Sequence, residues 1–197
     1  MKNLATKKDF LASAQAETVE YLTPDEVYTI ADTIRNDRNG ERNALLIITL
    51  FETGLRISEA LSITPARIQQ INGGYAIHII GKGRKPRTIA CPESLADKLN
   101  AFAYKRKLGQ DDNIFDIKRK MAWLMITTAA KKAGIKKRIY PHLFRHSDAI
   151  ERLRQTGNPK ALQLHLGHSS IKMTMRYLST LSQEDAVKIN QEVRFEK

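Results

Sequence analysis

The segment RIQQINGGYAIHIIGKGRKPRTIA, residues 67–90, decides the fold class of this chain. Its runs 67–71 and 75–80 contain the isoleucine and tyrosine typical of strands, and the Asn72-Gly73-Gly74 triplet between them indicates a hairpin turn. A second turn at 81–86 precedes a third extended run at 87–90. We therefore predict one small antiparallel sheet of three strands.

The segments on both sides of this sheet have helical patterns. Residues 23–26 have the spacing of a capping box with proline at the first helical position, which predicts a helix start. The next helix, around 44–51, is apolar on nearly all sides and should be buried up to its end at Gly54. Further helices are predicted at 57–61, 93–108, 118–133, 143–155, 159–166, 171–178 and 183–193. The predicted class is α+β, mostly helical.

Composition restricts the partner and the environment. The 197 residues carry a formal charge of +12, and a folded protein this basic most often binds nucleic acid, although an anionic membrane surface also attracts it. The single Cys91 excludes an internal disulfide and a CxxC zinc site. The longest apolar stretch, 44–51, is too short to span a bilayer, and residues 1–16 lack the apolar core of a secretory signal. We expect a soluble, cytoplasmic protein.

Four short segments contain candidate functional residues. In the first, TGLRISEAL at 53–61, Arg56 follows the end of the buried helix. An arginine there is more often a solvated charge. A guanidinium fixed beside a rigid helix would, however, suit two-pronged capture of phosphate oxygens.

The second segment is the basic turn GKGRKPR at 81–87. Glycines on both sides of Lys82 allow the backbone to approach a ligand closely, and a lysine can give a proton to a departing oxygen. Lys85 is the alternative donor. The simpler interpretation is a loop that only grips the DNA backbone, with DNA contacts from Arg84, Lys85 and Arg87.

The third segment is YPHLFRH at 140–146, in which Pro141 fits the first turn of a helix. His142 and Arg145 then share one face near the positive end of the helix dipole, which favours an anion site. His142 and His146 also have the spacing of helical zinc ligands. Because neighbouring basic residues would repel a cation, we expect no metal and assign these to DNA contacts: Lys136, Lys137 and Arg138.

The fourth segment, LHLGHSS at 164–170, is followed by Tyr177. Gly167 should end one helix, and Ser169 or Ser170 should cap the next, which places Tyr177 near the end of a short helix. Taken alone, a helical tyrosine is usually a packing residue.

The order Arg, Lys, His-x-x-Arg, Leu-Gly-His and Tyr resembles the tyrosine recombinase, or phage integrase, family over about residues 22–178. Tyr177 lies nine positions after His168, as in that family. The resemblance implies the integrase catalytic-domain fold. Most members have a helical DNA-clamp domain before the position of Tyr21. This chain has twenty residues there, so it resembles short members such as the fimbrial-switch invertases or a catalytic fragment.

The resemblance also implies site-specific recombination of double-stranded DNA. Tyr177 attacks a phosphate to give a 3′-phosphotyrosine link, Lys82 protonates the leaving 5′ oxygen, and His142 helps to accept the tyrosine proton. The resemblance implies no cofactor. It also implies that the protein forms a homo-oligomer, a tetramer, on DNA. The implied catalytic residues are Arg56, Lys82, His142, Arg145, His168 and Tyr177, with Glu59 supporting Arg56.

We divide the chain into an arm or linker remnant (1–20), a catalytic domain (21–180) and a C-terminal helix (181–197). That helix carries a narrow apolar stripe, which either packs on its own domain or docks on a neighbouring subunit. Two other functions stay open. One is DNA relaxation like that of type IB topoisomerases, and the other is a non-catalytic helix-turn-helix regulator using 159–178.

Overall fold

The computed structural model describes residues 20–80 and 86–194. The helices are α1 (Pro24–Thr33), α2 (Gly40–Thr53), α3 (Ile57–Ala60), α4 (Glu93–Lys105), α5 (Arg119–Lys132), α6 (Pro141–Thr156), α7 (Pro159–Leu166), α8 (Lys172–Met175) and α9 (Gln183–Gln191), and the strands are β1 (Ile68–Ile71), β2 (Gly74–Ile80) and β3 (Pro86–Cys91). The predicted mostly helical α+β fold is confirmed. Lys82, Arg84, Lys85 and residues 1–19 of the predicted arm lie outside the described residues. In the described part, no helix is long and apolar enough to cross a bilayer.

Helix α2 forms the centre of the core, as its apolar sequence predicts. Its residues from 44 to 51 are all buried, and the helix packs against α1, α4, α5, α6 and β3. It ends at Gly54, which has a φ of 58°. This left-handed residue turns the chain away from the helix axis and leads it directly into α3.

The sheet has the order β1-β2-β3, with both pairs antiparallel. Ile71 pairs with Gly74, so Asn72 and Gly73 form a two-residue loop, and both have positive φ, at 52° and 80°. This confirms the predicted hairpin. Arg67 lies in a short 3-10 helix (Pro65–Arg67), one residue before β1, where its guanidinium donates to the Ser62 carbonyl oxygen at 2.9 Å.

The C-terminal helices surround a second, smaller core that contains Tyr177. The predicted helix at 171–178 is interrupted there. Helix α8 ends at Met175, and a 3-10 turn (Leu178–Thr180) follows Tyr177. The Tyr177 N–H donates to the carbonyl of Thr174, three residues back, at 3.0 Å. Such i to i−3 bonds tighten the backbone and turn the tyrosine inwards.

Helix α9 packs on α6 of the same chain. Ile189 lies so close to Gly157 that a Cβ added there would be 2.7 Å from the Ile189 Cγ2. The Arg154 Nε is 3.6 Å from an Asp185 carboxylate oxygen. Val187, in contrast, is 52% exposed. The helix therefore has one face on its own domain and one face open.

The tight fit of Gly54 gives a stability prediction. In Gly54→Ala, the left-handed backbone costs about 1–2 kcal/mol. The new Cβ would also lie 2.3 Å from an Asp148 carboxylate oxygen. Gly73→Ala is the matched control, because Gly73 also has positive φ but has no atom within 4 Å of an added Cβ. In urea unfolding, Gly54→Ala should lose about 1 kcal/mol or more beyond the control. Equal losses would contradict this packing.

Candidate active site

Arg145 lies at the centre of the candidate site and is buried, with 1% of its surface exposed. Its Nη1 donates to the Gly54 carbonyl oxygen at 2.7 Å, and its Nη2 donates to the Leu166 carbonyl oxygen at 2.5 Å. These carbonyls are at the C-terminal ends of α2 and α7, where the helix dipole is negative. Burial and then the charge of Arg56 lower the pKa of Arg145 to about 10. The guanidinium therefore stays protonated at neutral pH.

Arg56 and Glu59 are joined by the local geometry of α3. Arg56 is the N-cap residue, and its backbone N–H donates to Glu59 Oε2 at 2.8 Å. Its Nη1 donates to Glu59 Oε1 at 3.0 Å, while 37% of the Arg56 side chain stays exposed. Burial alone would raise the pKa of Glu59, but hydrogen bonds from Arg87 and the Arg56 backbone lower it to about 2. The carboxylate is therefore ionised and can orient Arg56, the supporting role implied for Glu59.

Arg87 points to Glu59 and is largely covered. Its Nη1 and Nη2 donate to Glu59 Oε1 and Oε2 at 2.8 and 2.9 Å. Only 15% of the side chain is exposed. The direct DNA contact of Arg87 stays a prediction; in the structure its guanidinium forms a charge pair with Glu59.

The basic segment before α6 is divided between internal and exposed residues. Lys137 donates from Nζ to Glu26 Oε2 at 2.5 Å and to the Tyr21 carbonyl oxygen at 2.9 Å. This anchors the start of α1. Lys136 and Arg138 are exposed. Their charges are available to a polyanion.

His168 follows α7 in the turn that also contains Gly167. Its Nδ1 lies 2.9 Å from the hydroxyl of Thr174, a fully buried residue of α8. Burial, followed by the charges of Arg145 and Arg56, lowers the pKa of His168 to about 4. The imidazole is therefore neutral at pH 7. If Thr174 donates to Nδ1, the ring proton is on Nε2 and can be donated to an anion.

Tyr177 is 2% exposed, and its hydroxyl lies 2.6 Å from His146 Nδ1. Burial, followed by electrostatic repulsion from His142 and Arg176, lowers the pKa of His146 to about 4, so the imidazole is neutral at pH 7 and its Nδ1 can accept a hydrogen bond from the hydroxyl. Burial raises the pKa of Tyr177, against the charges of Arg176 and Arg145. The phenol is therefore held protonated and covered.

His142 lies on the exposed side of this pair. Its ring meets the His146 ring edge to face, with centroids 4.7 Å apart. The residue that bonds to the Tyr177 hydroxyl is His146, which the sequence indicated only as a partner of His142 in a metal site. In residues 20–80 and 86–194, no group of three His, Cys, Asp or Glu side chains could hold a metal ion.

A cleft beside Arg56 and His142 has a volume of about 350 Å³. It is also lined by Arg119 and Trp123 of α5 and by Tyr140. A larger cavity, of about 750 Å³, lies between the start of α2 and the end of α4, away from these residues. The cleft thus combines cations with aromatic surface next to the arginines, which suits a nucleic acid backbone.

Residues 20–184 match the family model described as "Phage integrase family". A tyrosine recombinase from Pseudothermotoga lettingae is 30% identical over 177 residues, which cover 87% of this chain and 60% of that protein. The catalytic domain of bacteriophage HP1 integrase is 26% identical, with a TM-score of 0.66 over 88% of this chain and 96% of that domain. The XerH recombinase, in a post-cleavage complex with a palindromic difH substrate, has a TM-score of 0.74 over 89% of this chain and 54% of that one; at 24% identity, this shows the fold alone. The chain spans about 60% of the length of the tyrosine recombinases that it resembles.

The lowered pKa values of His146 and His168 predict how the stability of the protein depends on pH. Their pKa values fall from an ordinary 6.5 to about 4, so between these values the unfolded chain binds protons that the folded chain does not. The free energy of unfolding should therefore fall as the pH is lowered from 6.5 to 4. Each histidine contributes up to about 1.4 kcal/mol per pH unit. A series of urea unfolding curves measures this slope.

His146→Asn isolates the contribution of the buried pair. Asn Oδ1 takes the position of the imidazole Nδ1 and still accepts the tyrosine hydroxyl, but it does not titrate. In this variant, the slope of the free energy of unfolding against pH should be smaller by the contribution of about one proton. His78→Asn, on β2 away from the site, is the control and should have the wild-type slope. An unchanged slope in His146→Asn would contradict the proposed burial of a neutral His146.

Proposed function

This chain belongs to the phage integrase family, and we propose that it cuts and rejoins DNA strands as the catalytic part of a site-specific tyrosine recombinase. The observation that carries this proposal is the position of Tyr177. Its hydroxyl contacts His146. His146 directly follows the buried Arg145 in helix α6. A buried tyrosine hydroxyl close to an arginine is suited to attack on a phosphodiester, because the positive charge attracts the phosphate.

The arginines would bind the phosphate under attack. Arg145 has N–H groups beyond the two that bond to carbonyls, and Arg56 has N–H groups beyond the one that bonds to Glu59. Both can donate to non-bridging oxygens. The pentacoordinate transition state carries more negative charge than the diester, so fixed cations stabilise it by several kcal/mol.

Tyr177 would be the nucleophile. Its oxygen forms a bond to phosphorus while the bond from phosphorus to the 5′ oxygen breaks, which leaves a 3′-phosphotyrosine link and a 5′ hydroxyl. Forming the phenolate at pH 7 costs about 4 kcal/mol from a pKa of 10, and the arginines offset this cost. The tyrosine proton passes to a neutral imidazole, and His146 or His142 can take it. Lys82 protonates the leaving oxygen, and His168 hydrogen-bonds the phosphate.

Strand exchange follows from the same chemistry. Because the phosphotyrosine link conserves the bond energy, a 5′ hydroxyl from another strand can reverse the reaction without ATP. The proposed partner is double-stranded DNA, bound by a homotetramer that brings two sites together. A cytoplasmic location stays a prediction.

Two observations favour recombination over the alternatives. The relatives reported above are named as recombinases or as an integrase, whereas DNA relaxation would be a side reaction of the same cleavage. A helix-turn-helix regulator would need a recognition helix at 171–178. There, α8 has only four residues, and its Thr174 is fully buried.

Replacing Tyr177 tests the nucleophile. On a nicked suicide substrate, the wild type should form a covalent protein–DNA adduct that survives denaturant. Tyr177→Phe removes only the oxygen, so it should bind the DNA without forming the adduct. Tyr104→Phe is the matched control, because Tyr104 is 88% exposed and lies away from the site. A normal adduct yield from Tyr177→Phe would refute the assignment.

Removing α9 tests the proposed assembly. The helix packs on α6 but leaves Val187 open, so its exposed face is available to a neighbouring subunit. A chain that ends at Thr180 should keep suicide-substrate cleavage and lose recombination between two sites, because only the second needs several subunits. Val187→Asp changes the open face alone and should give the same pattern. Full recombination by either variant would exclude α9 as a docking element.

A further inference from the structure

The Glu59 carboxylate is shared unequally between two arginines. Oε1 accepts from Arg56 Nη1 at 3.0 Å and from Arg87 Nη1 at 2.8 Å. Oε2 accepts from the Arg56 backbone N–H at 2.8 Å and from Arg87 Nη2 at 2.9 Å. Arg87 thus forms the two-pronged pair, while the Arg56 guanidinium has a single bond.

This division leaves Arg56 free to bind another anion. A guanidinium beside an unoccupied carboxylate favours two parallel bonds, and a two-pronged pair with Glu59 would turn the donor edge of Arg56 towards the protein. Arg87 fills that position. Glu59 and the two arginines together have a net positive charge. The part of this charge that is exposed to solvent is on Arg56.

Arg87 also packs against the turn that carries His168. A Cβ added to Gly167 would be 3.0 Å from the Arg87 Cδ and 3.2 Å from its Nε. A side chain at this position would require Arg87 to shift by a few tenths of an ångström. One side chain of β3 therefore contacts both the α3 segment with Arg56 and the turn with His168.

We propose that Arg87 is a positioning residue: it occupies Glu59 so that Arg56 stays directed at the phosphate, and it supports the turn that carries His168. This inference rests on the proposed function. It assigns to Arg87 a role different from direct DNA binding, because the guanidinium is bonded within the protein and largely covered.

The test begins with Arg87→Met, which keeps an unbranched apolar stem and removes the guanidinium. Arg56 should then take the two-pronged position on Glu59, and single-turnover cleavage of a suicide substrate should fall on the order of a hundredfold, as for a misplaced binding group. In an Arg56→Met background, adding Arg87→Met should leave the slope of log Kd against log salt unchanged, because Arg87 acts through Arg56. A direct phosphate contact by Arg87 would lower the slope by about a further 0.9, as expected for the exposed Arg138→Met, and that outcome would overturn the proposal.

A second substitution separates positioning from general damage to the fold. In Arg87→Met/Glu59→Gln, the neutral amide accepts the Arg56 backbone N–H but no longer attracts its guanidinium as a carboxylate does. The double variant should therefore cleave faster than Arg87→Met alone. If Arg87 only stabilised the fold, the second change would slow cleavage further, and that result would overturn the proposal.

A third measurement needs no DNA. In side-chain NMR spectra of the whole chain, the Nη groups of Arg56 should show slower rotation about Cζ–Nε in Arg87→Met than in the wild type, because two parallel bonds hold the guanidinium. Unchanged rotation would refute the role of Arg87. Absence of an adduct with the wild type would refute the proposed function instead, and the NMR measurement would still decide the role of Arg87.

Discussion

The buried guanidinium of Arg145 is the constraint on which the candidate site depends. A charge with 1% exposure must be solvated by the protein, and the carbonyls that do so belong to Gly54 and Leu166. Both α2 and α7 must therefore end at this point. The chain turns that free the two carbonyls also position candidate site residues, because Arg56 comes two residues after Gly54 and His168 two residues after Leu166. The proposed phosphate-binding groups thus converge because two helices end on one cation.

The same cations divide the site into two electrostatic zones. Around Arg56 and Arg145 the charge is positive and partly accessible. Behind them, burial and repulsion lower the pKa of His146 and His168 to about 4, so both imidazoles are neutral at pH 7, and His146 lies beside the protonated phenol. Since Tyr177 is covered in this structure, the proposed attack on DNA requires its hydroxyl to leave His146.

The parts of the fold that could be predicted are those set by local sequence. The Asn72-Gly73 turn fixes the hairpin, and the apolar run of α2 fixes the central helix. The interrupted helix at 171–178 could not be predicted, because its interruption depends on the burial of Thr174 and Tyr177 in a tertiary core. The contacts of Arg87 with Glu59 and of His146 with Tyr177 join residues 28 and 31 positions apart, beyond the reach of any local pattern. The family resemblance placed Tyr177 and the two arginines in one site, but it did not indicate His146 as the partner of the hydroxyl.

The central claim is that the buried Tyr177 hydroxyl becomes bonded to a DNA phosphate. Peptide mapping of the covalent adduct tests this most directly, because trypsin cleavage after Arg176 and Lys188 releases the peptide YLSTLSQEDAVK, residues 177–188, with Tyr177 as its only tyrosine. Mass spectrometry of nuclease-trimmed adduct should find the nucleotide on this peptide, and fragmentation should place it on the tyrosine. A nucleotide on Ser179, on Ser182 or on any other peptide would contradict the claim.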